Sequence, residues 1–115
     1  MEKMTSKLFT RTEIYSIFEK PYKLSVTSPF ILHGSMQWYV EYLGQEYELC
    51  LENVEKTTLR EVAKNHYDEE GFESEEKFLD NWKEKLGWVN DQPPTIDPDQ
   101  IVWRAKSFQH WKHFR

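Results

Sequence analysis

The sequence predicts an α+β fold: a small, mostly antiparallel sheet with helices appended. Three observations carry that expectation. Runs of period-two alternation fall next to one another as hairpin partners, rather than being spaced out as β-α-β units. Two Thr-x-x-Glu words each open a stretch of helical periodicity. Finally, 18 of the 115 residues are Phe, Tyr or Trp, and each buries roughly 150–250 Å² in a core. A mean hydropathy of −0.82 therefore describes a wet surface over an aromatic core, since disordered chains are poor in aromatics. The length suits one domain, residues 1–115.

The elements follow in order. Thr10-Arg11-Thr12-Glu13 is a capping box, and Ile14, Ile17 and Phe18 stand at helical spacing behind it. Pro21 closes that helix, because the residue before a proline is pushed out of the α region. Tyr22, Leu24 and Val26 then alternate with Lys23, Ser25 and Thr27, which predicts a strand. Pro29 stops it, and a turn is expected at His33-Gly34-Ser35. Residues 36–52 read as a hairpin: alternating runs on either side of Gly44-Gln45. Cys50 sits on the Glu48/Glu52 face of its second strand and reads as a packing residue. Thr58-Leu59-Arg60-Glu61 is the second capping box, and Leu59, Val62, Ala63 and His66 predict about three helical turns. Asp68-Glu69-Glu70 lies either at the end of that helix, opposing its dipole, or in the loop beyond. Ser74 caps a further helix with Phe78, Leu79, Trp82 and Leu86 on one face and Gly87 behind it. Its Ser-x-x-Lys word, Ser74 to Lys77, reads as a cap rather than a nucleophile. Pro93-Pro94 and Pro98 mark a loop. Ile101, Trp103 and Ala105 alternate with Val102, Arg104 and Lys106 in a closing strand that reaches Phe108. His110 and His113 then lie in a charged aromatic tail.

Charge is segregated along the chain. The formal −5 resolves into seventeen acids against six bases over residues 41–100, with a net +2 before and +4 after. Basic ends that met in space would place a positive face on an acidic body, as a polyanion ligand requires. No apolar run approaches the ~20 residues of a membrane span, and no secretory signal opens the chain. One cysteine and four histidines make no zinc site, so neither a metal nor a cofactor is expected. A cytoplasmic protein is the expectation.

Four places along the chain carry a family resemblance. They are Ile14 to Phe18 with Pro21-Tyr22-Lys23; Thr57-Thr58-Leu59-Arg60-Glu61-Val62; the acidic turn Asp68 to Ser74 followed by Phe78 and Trp82; and the strand from Asp97 to Phe108. In these words and their order the chain resembles the ASCH domain, a member of the PUA-like superfamily, most closely over residues 47–82. The resemblance implies a PUA-like β-barrel and a role in binding RNA or nucleotides. Some small ASCH enzymes deacetylate 4-acetylcytidine with a lysine, a threonine three residues on and a glutamate in the acidic turn. Lys23 matches the lysine and Glu70 the glutamate, as the catalytic candidates the resemblance implies. Val26 stands where the threonine belongs, and Thr27 falls on the other face of the strand.

The residues therefore support three readings. The first is an RNA- or nucleotide-binding module using Lys23, Trp38, Trp103, Arg104 and Lys106: tryptophans stack bases for about 1–3 kcal/mol each, and cations meet phosphates. The second is a hydrolase on a modified nucleoside, or a ribonuclease, built on Lys23 and Glu70, which requires a hydroxyl to converge with both. The third is a protein-interaction module presenting the acidic helical face from Glu69 to Glu84.

Overall fold

A computed structural model describes residues 9–32, 36–87 and 94–112; the expected turn at His33-Gly34-Ser35, Pro93 of the expected loop and His113 lie outside them. The architecture is α+β. Among the described residues, three helices pack on a curled, antiparallel half-barrel of four strands, in which the first strand of the chain pairs with the last, the last with the third and the third with the second.

Helix α1 (Arg11–Glu19) begins where the capping box places it. The Thr10 hydroxyl accepts from the Glu13 amide at 3.1 Å, and the Glu13 carboxylate accepts from the Thr10 amide at 3.3 Å. Strand β1 covers only Val26–Ser28, so the extended run from Tyr22 joins the sheet late. The hairpin joins β2 (Met36–Tyr42) to β3 (Gln45–Thr58). Its turn sits one residue earlier than expected, on Leu43 and Gly44, with φ of 51° and 76°. Two successive positive φ values match the right-handed twist of the flanking strands.

Strand β3 is longer than the alternation suggested. Leu49, Leu51 and Val54 all reach one core, although residues three apart point to opposite faces of a regular strand. Asn53 absorbs the extra step in the left-handed region (φ 55°), which Asn tolerates better than most residues. Its amide donates to the Ser107 hydroxyl at 2.8 Å. Helix α2 (Leu59–Asn65) has two turns rather than three, and Asp68 to Glu70 lie in the turns beyond it. In α3 (Glu75–Leu86) the Ser74 hydroxyl accepts from the Lys77 amide, so the Ser-x-x-Lys word is a cap. Strand β4 (Ile101–Lys112) runs past Phe108: His110 pairs with Leu49 and Trp111 with Glu48, so these are sheet residues rather than a tail.

Over residues 102–105 both faces of β4 are covered. Ala105 joins Val26, Leu49, Leu51 and Ile17 in the core of the half-barrel. Val102 faces the other way, into a second core with Leu59, Val62, Phe78 and Trp82 beneath the helices. Arg104, two residues from Val102, is held on that same side, where the two cores leave a polar seam.

Candidate functional site

The seam is built from the stretch that reads most plainly as an amphipathic strand, with its faces reversed. Tyr22 and Leu24 are 49% and 52% exposed, whereas Lys23 is 4% exposed and Ser25 and Thr27 are wholly buried. Only Val26 of the apolar set points into the core. The reversal has a local cause. The acidic turn after α2 lies over this stretch, and the Glu69 carbonyl accepts from the amides of Leu24 (2.6 Å) and Ser25 (3.1 Å). Covered by a turn rich in acceptors, the polar side chains find partners that the apolar ones would not.

Lys23 donates from Nζ to the Glu70 carbonyl at 2.7 Å. The Ser25 hydroxyl donates to the buried Glu70 carboxylate, and Arg104 donates from Nε to the same Ser25 oxygen at 3.2 Å. The guanidinium also reaches Glu55 at 3.1 Å, Glu69 at 3.2 Å and the Glu70 carboxylate at 3.8 Å. A second buried pair completes the seam: Lys85 meets the Glu13 carboxylate at 2.8 Å and the Thr27 carbonyl at 2.5 Å. The Thr27 hydroxyl, fully buried among these charges, has no hydrogen-bond partner among the described residues.

Burial pushes the Lys23 ammonium below the ordinary lysine value; Glu70 and Glu13 oppose the shift, and Lys85 and Lys20 add to it. With its folded pKa depressed, Lys23 binds fewer protons in the native than in the unfolded chain just below the ordinary lysine value. Its contribution to stability is therefore fully present above the unfolded pKa and is lost as pH falls through the folded one. Below the ordinary lysine value, and so at neutral pH, the titration of Lys23 therefore opposes folding. Lys23→Met should consequently leave the chain as stable as wild type or more so in urea denaturation at pH 7. A loss above ~1 kcal/mol would instead make Lys23 a structural group of the kind whose removal exposes a buried partner.

Close packing fixes the same lysine. Gly71 adopts φ +94°, and a Cβ there would stand 3.3 Å from the Lys23 Cβ. Gly71→Ala meets both the left-handed backbone cost and this crowding, and a loss of about 1–2 kcal/mol is expected in the same denaturation assay.

The structure thus brings together Lys23, Glu70 and Arg104 of the expected site residues. It adds Ser25 and Thr27, which were legible as the residues two and four beyond Lys23, and the Glu13–Lys85 pair, for which the sequence held no signal. Of the two partners required of a hydroxyl, Ser25 meets the Glu70 carboxylate, whereas Lys23 Nζ turns to the Glu70 carbonyl and Val26 serves the core. Trp38 is not in this group. It is buried at 8% exposure in the half-barrel core, edge-on to Phe9 at 6.3 Å between ring centroids, so its faces are not offered to a base. Trp103 is half-buried against the same core, and Lys106 is exposed. Described parts of the two basic stretches do meet, since Thr27 pairs with Arg104 across β1 and β4. Arg104 is nevertheless drawn inward onto carboxylates instead of forming an open positive face. Burial, with Glu52 adding, raises the Cys50 thiol, the opposite of activation. An apolar cleft of about 160 Å³ among α2, α3 and the segment around Ile96 shares no lining residue with the seam. No described helix is long and apolar enough to cross a membrane.

Comparison of the chain with models of protein families, with curated proteins and with solved structures found no match.

Proposed function

We propose that this chain is an RNA- or nucleotide-binding domain of the ASCH type, PUA-like in fold and acting in RNA metabolism in the cytoplasm. In this reading Lys23, Ser25, Thr27, Glu70 and Arg104, all at most 4% exposed, recognise a ligand that enters where the acidic turn parts from residues 22–27. One observation carries it: a strand-like segment buries its polar face and exposes its apolar one. Burying charge is expensive, and an apolar replacement is often the more stable choice. Retaining Lys23 there, with the Thr27 hydroxyl left over, suits a site that serves a ligand's donors and acceptors better than it serves stability. Lys106 and Lys112 are exposed on β4 for phosphate contact.

The test is a fluorescence titration of short single-stranded RNAs and free nucleosides at about 50 and 200 mM salt. Saturable binding that weakens at least ~10-fold in Lys23→Met, with the fold retained, is expected. A ligand held through phosphates weakens with salt as well. No binding of either class at the lower salt would overturn the reading and leave the protein-interaction module in its place.

The Ser25–Glu70 contact beside Lys23 favours a second reading, a nucleoside amidohydrolase. Amide hydrolysis needs a nucleophile, a base to take its proton and a group to hold the oxyanion. A serine that donates to a buried carboxylate, near a lysine and an arginine, supplies all three kinds of group. Chromatography of 4-acetylcytidine incubated with the protein checks it. Cytidine and acetate should form with wild type and not with Ser25→Ala; no turnover by wild type excludes it.

A further inference from the structure

The site is tied to a histidine outside it. His66, which follows α2, places Nδ1 at 2.9 Å from Glu69 Oε1, while its Nε2 stands 3.8 Å from Glu61 Oε1. The other oxygen of Glu69 holds Arg104 at 3.2 Å. The Glu69 main-chain carbonyl, meanwhile, clamps the amides of Leu24 and Ser25. One residue thus joins the imidazole, the guanidinium and the backbone of the Lys23–Ser25 segment.

The contact chemistry sets the direction of the coupling. A carboxylate only accepts, so Nδ1 carries a hydrogen toward Glu69 and the neutral ring turns the Nε2 lone pair toward the Glu61 carboxylate. That second contact is repulsive. Protonation turns Nε2 into a donor, reverses the sign of the Glu61 contact and adds a cation to the near side of Glu69. Glu69 is then held from both sides, by His66 and by Arg104. Glu61 from α2, Glu69 from the turn and Arg104 from β4, itself shared with Glu55 and Glu70, are the charged groups that face this unit.

We propose that His66 is a positioning residue that, on protonation, locks Glu69 against Arg104 and thereby orders the Lys23–Ser25 segment, making the site pH-sensitive. The coupling deepens the ligand-site reading and rests on it for its consequence in binding. The ordering itself does not depend on a ligand. His66, Glu69 and Glu61 are partly exposed, with side-chain exposures of 26%, 38% and 51%, so the effect is that of a screened pair, about two- to fivefold.

The experiment is amide hydrogen exchange of Leu24 and Ser25 by NMR from pH 5 to 8 on the full chain, corrected for the intrinsic pH dependence of exchange, with the His66 ring titrated in parallel. Protection should rise about two- to fivefold as pH falls, with the midpoint of the His66 titration. His66→Gln, which keeps an N–H donor but not the charge, should abolish the step. A flat wild-type profile, or a step that survives His66→Gln, overturns the proposal. If the step is present and no RNA or nucleoside binds, the functional reading fails and the coupling stands. If binding occurs with a flat protection profile, the reverse holds.

Discussion

Arg104→Leu is expected to destabilise the chain by about 3–5 kcal/mol, the range for breaking a buried ion pair by removing one partner. Arg104 is 3% exposed and is the cation closest to the Glu70 carboxylate that its removal would leave behind. Its contacts with Glu55 and Glu69 reach half-exposed carboxylates and, being screened, contribute little to that figure. The cost arises at Glu70 and Ser25. Urea denaturation of three variants separates these terms. Arg104→Leu should shift the midpoint strongly, whereas Arg104→Leu combined with Glu70→Gln should recover part of the loss, because the amide carries no charge to strand. Arg104→Lys should fall between, since an ammonium cannot place donors on Ser25, Glu55 and Glu69 from one planar fork. A loss below ~1 kcal/mol for Arg104→Leu would show that the seam is wetter than its burial implies.

Lys85→Met carries the second large effect. Lys85 and Glu13 meet at 2.8 Å with side-chain exposures of 2% each, so removing the ammonium leaves a buried carboxylate, again at about 3–5 kcal/mol. Glu13 is also the acidic member of the α1 capping box, which makes its replacement informative. In Lys85→Met with Glu13→Gln the charge is gone while an amide oxygen remains to accept from the Thr10 amide. Most of the loss should return. Glu13→Gln alone should cost less than Lys85→Met, since Lys85 keeps the Thr27 carbonyl as an acceptor. A double-mutant cycle by thermal denaturation measures the coupling, and additive single losses would mean that the pair is not energetically linked.

These two pairs show where reading along the chain stops. The Thr10–Glu13 box, the Thr58 and Ser74 caps, the hairpin and the closing strand are all local: each depends on residues within a few positions of one another, and the structure contains them. Boundaries moved where a distant partner intervened. Strand β4 extends to Lys112 because β3 continues beside it, and α2 ends early where the chain turns over the Lys23 segment.

The site divides in the same way. Lys23, Glu70 and Arg104 were visible as a lysine opening an alternating run, an acid in a turn and a base in the closing strand. Which face of residues 22–27 would be buried was not visible. Hydropathy favours Tyr22 and Leu24 inward, and the acceptors that reverse the choice arrive from residues 69 and 70. Glu13 and Lys85 likewise stand 72 positions apart. Local chemistry along the chain was therefore sufficient for the α+β class, the caps and the kind of residue that would form a site. Packing of the acidic turn and two helices on the half-barrel decided which polar groups lost water and which partners met them. Desolvation and charge pairing are properties of a position in space, and alternation along a strand carries no information about what covers it.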